Sequence, residues 1–359
     1  MPVPTPYLRV DLARLRRNVR RTAEQATVAR IALRPHAKTH KNAEIARLQL
    51  ISGAVGLTVA TVGEAEAFVR HGCTDVFIAY PVWVDDHRAA RLRELAEQAT
   101  VAIGLDSLRG AANAGRRLGG SGIEVLVEVD SGHHRTGTVP EEAGEVAAAA
   151  ARVGLPVRGV FTFPGHGYSP GAADAVVRAE ARALAAAKAS VEAAGLEVRV
   201  VSGGSTPTLA ASLASAGEPS VVNELRPGVY VFGDAQQWEL GACDPLDIAL
   251  TVRGTIISRA GGRVVLDTGS KVLGADRASY ASGFGRLLDH PDARVVSLSE
   301  HHAVVEMPPG PDPRGLRVGD QLDVVPNHVC SAVNLADTLW VEEAGGLRSW
   351  PVTARGLNG

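Results

Sequence analysis

Short apolar runs rich in Val, Ile and Leu recur along the first two thirds of the chain. Each is followed by a longer stretch whose apolar residues return every three to four positions. The first pattern marks a strand buried on both faces, the second an amphipathic helix. RIAL (30–33), GLTVA (56–60), DVFIAY (75–80), VAIGL (101–105), EVLVEV (124–129), GVFTF (159–163), VRVVS (198–202) and VVNEL (221–225) therefore predict eight strands. Helices are predicted at about 41–52, 63–72, 86–98, 107–119, 140–153, 171–194 and 206–216, with a leading helix at 11–27. Eight such alternations in roughly 215 residues fit an α/β fold of the (β/α)8, TIM-type barrel kind.

Beyond about residue 240 the helical pattern stops. ALTVRGTIIS, RVVLDTG, RVVSLSE, HHAVVE, QLDVVP and TLWVEE alternate apolar and polar positions between Gly and Pro turns, and predict a C-terminal antiparallel β domain. The opening PYLRVDL is expected to join that sheet. The predicted division is a barrel over 16–238 and a β domain over 239–359 together with 1–15.

Composition narrows the partners. With 359 residues, 45% of them hydrophobic, the chain can fill a large core or two smaller ones. A net charge of -2 and a pI near 6.6 argue against nucleic acid and anionic membrane surfaces as partners, which leaves a small molecule. No stretch approaches the roughly 20 apolar residues of a membrane span. The start, MPVPTPYLRV, lacks the charged-then-apolar order of a secretory signal. Cys73, Cys243 and Cys330 are odd in number and far apart, which suits free thiols in a reducing compartment. A cytoplasmic setting is the expectation. The alanine-rich segment at 145–152 keeps helical periodicity and is expected to be an ordinary amphipathic helix.

In such barrels the chemistry sits at the C-terminal ends of the strands. The segments following the predicted strands carry Lys38, then Thr61 and Glu64, then Asp130, His133, His134 and Arg135, then Gly165-His166-Gly167-Tyr168, then Gly203-Gly204-Ser205-Thr206, and last Arg226-Pro227-Gly228. SGGSTPT offers two hydroxyls and backbone N–H groups ahead of a helix, an arrangement that cradles an anion. The loops after strands seven and eight are where barrels commonly hold phosphate. Read blandly, the same segment is a Gly turn with a Thr cap. Lys38 stands at a strand end, where a closed pocket lowers an amine's pKa and lets it condense with an aldehyde; Lys41 falls in the predicted helix. A phosphate cradle together with such a lysine points to pyridoxal phosphate. The alternative makes both lysines surface charges at a helix start.

Arg135 has the planar fork that matches a phenolic oxygen or a carboxylate; otherwise it pairs with Asp130. His166 can lie on a flat ring or simply pack. In PNHVC, taken as extended chain, positions i and i+2 face the same way, so His328 and Cys330 would project together. An imidazole beside a thiolate suits Zn2+, with Mn2+ the second candidate, and two protein ligands leave coordination positions open. The plain reading is a buried free cysteine.

PHAKTHK, VDSGHHRTG, PGHGY, SGGSTPT, ELRPGVYVFGD and PNHVCSAVNL occur in this order. Together they resemble the fold-type III pyridoxal phosphate enzymes of the D-threonine aldolase and D-serine dehydratase family over nearly the whole chain. The resemblance implies an alanine racemase-like barrel with a β domain, a homodimer, and Lys38 as the lysine joined to the cofactor. It assigns the phosphate to Ser205, Thr206 and the backbone of Gly204, Gly228 and Val229, with Gly203 and Tyr168 counted among the cofactor contacts. Arg135 would contact the cofactor oxygen, and His166 would lie by the ring. Arg226 matches the arginine that pairs the pyridine nitrogen in racemases.

His328 and Cys330 match the family's metal pair, in the H-x-C form of dehydratase-type members. Typical D-threonine aldolases resemble an H-x-D form. Some also carry a tyrosine near Phe163 and a histidine where this chain has Ser169. The expected function is therefore a metal-dependent dehydratase of D-serine or D-threonine type. D-threonine aldolase is the first alternative, an amino-acid racemase the next, and a non-catalytic cofactor carrier the last. His302, in SLSEHHAVVE beside His301, is read as backing the metal ligands.

Overall fold

The computed structural model describes residues 3–215, 221–308 and 315–359. The last residue of the helix predicted at 206–216 lies outside them. The chain forms two compact units. One comprises residues 20–38, 43–228 and 356–359; the other comprises residues 1–19, 39–42 and 229–355. In chain order β1 (Tyr7–Asp11) leads into α1 (Leu12–Val28), and the barrel strands begin after it.

The first unit alternates β2 (Ala32–Leu33), α2 (Ala43–Ile51), β3 (Leu57–Val59), α3 (Val62–Arg70), β4 (Asp75–Pro81), α4 (Asp86–Ala96), β5 (Thr100–Leu105), α5 (Leu108–Leu118), β6 (Glu124–Glu128), α6 (Ala143–Arg152), β7 (Val157–Phe161), α7 (Ala173–Ala193), β8 (Val200–Gly203), α8 (Leu209–Ala214) and β9 (Glu224–Leu225). All eight predicted strands are present and pair in parallel in the order β2-β9-β8-β7-β6-β5-β4-β3. A parallel bridge between His36 and Thr58 joins the two ends, with the Thr58 N–H donated to Pro35 O at 2.9 Å. The fold is the (β/α)8 barrel that the periodicity predicts.

β2 is shorter than its apolar run. Arg30 turns into the left-handed region (φ 55) to end α1, so the strand starts only at Ala32. α2 also starts later than predicted. Lys41 has φ 45 and is buried, with its Nζ donating to Asn334 Oδ1 at 2.7 Å, and the helix opens at Ala43.

Alternate strand residues fill the barrel. Phe77, Ala102, Leu126 and Phe161, one from each of β4 to β7, form an apolar layer in which the two phenyl rings meet edge to face at 4.9 Å. Residues two positions away face the same interior. Asp75 and Glu124 thus lie toward the strand starts, where Arg158 pairs with both, and Arg34 pairs with Asp75 and Glu224. Such a buried network needs every member, because removing one charge strands its partner in a low dielectric. Gly159 marks how closely β7 and β8 approach: a Cβ there would lie 1.8 Å from Val200 O.

The second unit adds α9 (Ala235–Glu239), β10 (Leu250–Ala260), β11 (Arg263–Leu266), α10 (Ser270–Leu273), β12 (Gly285–Leu287), β13 (His290–Leu298), β14 (Ala303–Glu306), β15 (Gln321–Pro326), α11 (Val329–Leu335), β16 (Thr338–Glu343) and β17 (Gly346–Pro351). The strands follow the order β11-β14-β13-β12-β15-β10-β1-β16-β17, and β11 also pairs with β10, which closes a ring of strands. β1 joins as expected, antiparallel to β10, but it lies parallel to β16. Its apolar face buries Leu8 and Val10 with Leu250, Val252, Val324, Leu339 and Val341. β12 and β17 escape the sequence pattern because they are short or mostly exposed.

Candidate functional site

At the C-terminal ends of the barrel strands, residues from distant loops gather on one aromatic ring, that of Phe163. Lys38 Nζ lies 5.8 Å from its centroid, the Arg135 guanidinium 4.9 Å, the His133 ring 5.5 Å and the Tyr168 ring 6.4 Å. They come from three turns of the alternating pattern, those after β2, β6 and β7, and closure of the barrel makes them neighbours. Lys38 is half-buried in the short turn Ala37–Thr39 that follows β2.

The loop after β6 is organised by Asp130. Its carboxylate accepts the Gly132 and His134 N–H groups at 2.8 and 3.0 Å and meets His134 Nδ1 at 2.6 Å. The side-chain partner of Asp130 is therefore His134, and Arg135 lies exposed over Phe163. Burial, and then the Arg135 charge, push the His133 pKa down. Burial does the same for His166, whose Nδ1 is buried without a hydrogen-bond partner. A neutral ring beside the cluster can pack on a flat cofactor face at no cost in desolvated charge.

Thr61 and Glu64 have a structural task. Thr61 caps α3, its hydroxyl accepting the Glu64 N–H at 3.0 Å, while the Glu64 carboxylate accepts the Ala60 N–H at 2.7 Å. The pair is a helix cap of the kind that Thr and Glu three residues apart commonly form.

After β8 the chain makes the expected Gly turn, with Gly204 at φ 77. Its interior differs from the cradle predicted above. The Gly204 N–H is donated to Glu180 Oε1 at 2.7 Å, and the Ser205 N–H to Thr208 Oγ1 at 3.0 Å, so two of the expected anion donors are already engaged. Thr206 Oγ1 is buried with no hydrogen-bond partner among the described residues. An orphaned hydroxyl in a buried loop costs free energy unless something binds it. Together with the Ser205 hydroxyl, it fits the phosphate of a cofactor. Glu180 escaped the sequence reading, although a carboxylate amid the apolar stripe Val176, Leu184, Ala187 and Val191 of α7 was its signal.

Arg226 is buried, its Nε donating to Ser202 Oγ at 2.8 Å and a terminal nitrogen to Thr162 O. Ser202 in turn donates to Glu224 at 2.7 Å, so a polar chain runs from the Arg34 network up to Arg226. Glu128, at the end of β6, is also buried; burial raises its pKa, and Oε2 lacks a partner. Gly228 ends the barrel unit, and Val229 is buried at the start of the turn Val229–Val231.

In the second unit His328 and Cys330 do come together, by a different local geometry from the one predicted. The chain leaves the extended state at His328, which caps α11 with φ -128, and Cys330 lies in that helix's first turn. Asp234, fully buried, caps α9 by accepting the Gln237 N–H at 2.8 Å; its other oxygen accepts the Val329 N–H at 3.2 Å and lies 3.6 Å from His328 Nδ1. The neighbouring Cys330 sulfur, helped by Asp234 and opposed by burial, pushes the His328 pKa up to about 11. Thr39 Oγ1 lies 3.3 Å from Cys330 Sγ. Among the described residues no group of three or more His, Cys, Asp or Glu is placed to hold a metal ion. An imidazole and a thiol backed by a carboxylate fit an ion with open positions, the geometry of a catalytic site. His301 and His302 form instead the exposed turn between β13 and β14.

Comparison with known proteins decides the family. Residues 10–236 match the alanine racemase N-terminal domain, and residues 249–341 match a serine dehydratase domain. The chain belongs to the fold-type III pyridoxal phosphate lyases that include D-threonine aldolases and dehydratases. It is 31% identical to the D-threo-3-hydroxyaspartate dehydratase of Delftia sp. strain HT23, across 92% of this chain and 92% of that one. It is 32% identical to the D-threonine aldolase of Arthrobacter sp., across 99% of this chain and 94% of that one. The solved Delftia dehydratase superposes with a TM-score of 0.87 over 97% of each chain at 28% identity. That enzyme has also been solved with a histidine and, two positions on, a cysteine each replaced by alanine, the cysteine variant in a metal-free form. No helix among the described residues is long and apolar enough to cross a membrane.

Proposed function

We propose that this enzyme removes water from D-β-hydroxy-α-amino acids of the D-serine and D-threonine type, releasing a 2-oxo acid and ammonia. The observation that carries this reading is the His328-x-Cys330 pair, whose spacing equals that of the two residues replaced in the metal-linked Delftia dehydratase. When bound, pyridoxal phosphate supplies an electron sink for negative charge at the substrate Cα.

The residues of this chain divide the remaining work. Lys38 would hold the cofactor through its aldehyde and, as a free amine, would take the proton from the substrate Cα. Arg135, exposed over Phe163, offers its fork to the phenolic oxygen or the substrate carboxylate. His166 would lie by the cofactor ring, Tyr168 would contact the cofactor, and the loop Gly203–Thr206 would hold its phosphate. Arg226 would face the pyridine nitrogen. His328 and Cys330 would hold a divalent ion, Zn2+ first and Mn2+ second, whose chemistry is Lewis-acid polarisation of the β-hydroxyl. Thr39, which directly follows Lys38 in the chain, lies against Cys330. A homodimer in the cytoplasm completes the proposal.

D-threonine aldolase is the second reading, favoured by an identity to the Arthrobacter enzyme as high as that to the dehydratase. There the hydroxyl would lose its proton and the Cα–Cβ bond would break, giving glycine and an aldehyde. The two readings separate by product. The loaded enzyme is given D-serine, D-threonine and D-threo-3-hydroxyaspartate, and 2-oxo acid and ammonia are expected in equal amounts. Glycine as the main product would overturn the dehydratase assignment.

A further inference from the structure

We propose that Glu180 is the positioning residue of the phosphate loop and that it takes up a proton when a phosphate dianion binds there. The proposal rests on the reading of Gly203–Thr206 as the cofactor's phosphate site. Glu180 sits in the buried stripe of α7, where its Oε1 fixes the Gly204 amide at 2.7 Å. The carboxylate and loop are in such close contact that a Cβ on Gly203 would lie 2.3 Å from Oε1, so a side chain at 203 would displace the carboxylate. Gly204, with φ 77, passes the fixed peptide on to Ser205 and to Thr206, whose hydroxyl is left without a partner.

The charged group that faces Glu180 is Arg226. Its guanidinium is held by Ser202 and Thr162. The elements packed on α7 are α6, the turns Pro140–Glu142 and Gly165–Gly167, α8, β7 and β8; Glu141 and Glu142 meet the helix near Ser190, nearly three turns beyond Glu180, and among the described residues Arg226 is the charge that acts on Glu180. Burial raises the carboxyl to about 7 before any anion arrives. A phosphate dianion one residue beyond Gly204 penalises the ionised form further, because two like charges then share a site with little water between them. Binding and protonation are therefore linked.

The test uses the full-length, cofactor-free protein and pyridoxine 5′-phosphate, which carries the phosphate but cannot condense with Lys38. Calorimetric titration in buffers of different ionisation enthalpy near pH 7.5 counts the protons. Wild type is expected to take up between about half and three quarters of a proton, and its dissociation constant to rise by up to about tenfold per pH unit above pH 7. Glu180→Gln keeps an oxygen for the Gly204 amide. It is expected to bind as tightly as wild type near pH 6, with no Glu180-linked uptake and a flat profile above pH 7. The same proton count and slope in Glu180→Gln would overturn the proposal.

If that variant does not fold, infrared difference spectra of wild type with and without pyridoxine 5′-phosphate decide the matter. Gain of a protonated carboxyl band at the expense of a carboxylate band supports it, and no gain overturns it. Equal affinity of Thr206→Val and wild type for the probe would instead overturn the phosphate assignment, and the proposal with it.

Discussion

Thr206→Val tests the phosphate loop through two effects of opposite sign. Thr206 is 7% exposed, and its hydroxyl has no hydrogen-bond partner among the described residues. Valine fills nearly the same volume with a methyl in place of the hydroxyl. Removing an orphaned buried hydroxyl recovers about 1–3 kcal/mol of desolvation. In a unit of this size each kcal/mol is worth roughly 2–4 °C, so the cofactor-free variant should melt higher than wild type. Cofactor binding should move the other way. A hydrogen bond to a charged acceptor contributes about 1.5–3 kcal/mol, so losing it should weaken pyridoxal phosphate roughly 10- to 100-fold. Thermal melts of dialysed protein and fluorescence titration with the cofactor measure both. A lower melting temperature in the cofactor-free state, or an unchanged affinity, would refute the reasoning.

Three further outcomes are expected. Lys38→Ala should leave the protein folded but colourless after incubation with pyridoxal phosphate, whereas wild type is expected to turn yellow; a yellow variant that keeps its colour through gel filtration would exclude Lys38 as the anchor. His328→Ala and Cys330→Ala should each lose bound divalent metal by elemental analysis, and exhaustive chelation of wild type should abolish turnover until Zn2+ or Mn2+ is returned; full activity after chelation would favour a metal-free racemase reaction. In the cofactor-free protein the Glu180 carboxyl, raised from 4.5 to about 7, holds its proton more tightly folded than unfolded. Its penalty is absent below about pH 4 and grows as the pH climbs to about 7, so the stability advantage of Glu180→Gln should grow over that window to about 3 kcal/mol, read by urea denaturation at several pH values. An advantage independent of pH would show that the carboxyl does not titrate there.

Much of the architecture was legible because it rests on local repetition. Buried parallel strands need continuous apolar runs and their covering helices a 3.6-residue period, so the eight-stranded barrel could be read from hydropathy alone. The rule that chemistry follows the strand ends picked out Lys38, Arg135 and the loop at Gly203–Thr206, and the first two meet over Phe163. Thr61 and Glu64 were picked out by the same rule, yet they cap α3. Position along the chain does not tell a cap from a catalyst.

The hydrogen-bond partners were decided only by the tertiary structure. Gly204 gives its N–H to a carboxylate on α7, Asp130 pairs with His134 in place of Arg135, and Asp234 reaches His328 from nearly a hundred residues away in the chain. The sequence by itself determined that the barrel exists and which loops crown it, because both follow from the period of apolar residues. Which buried oxygen meets which donor depends on how the closed barrel and the β unit bring distant segments to within 3 Å or so, and no local period encodes that distance.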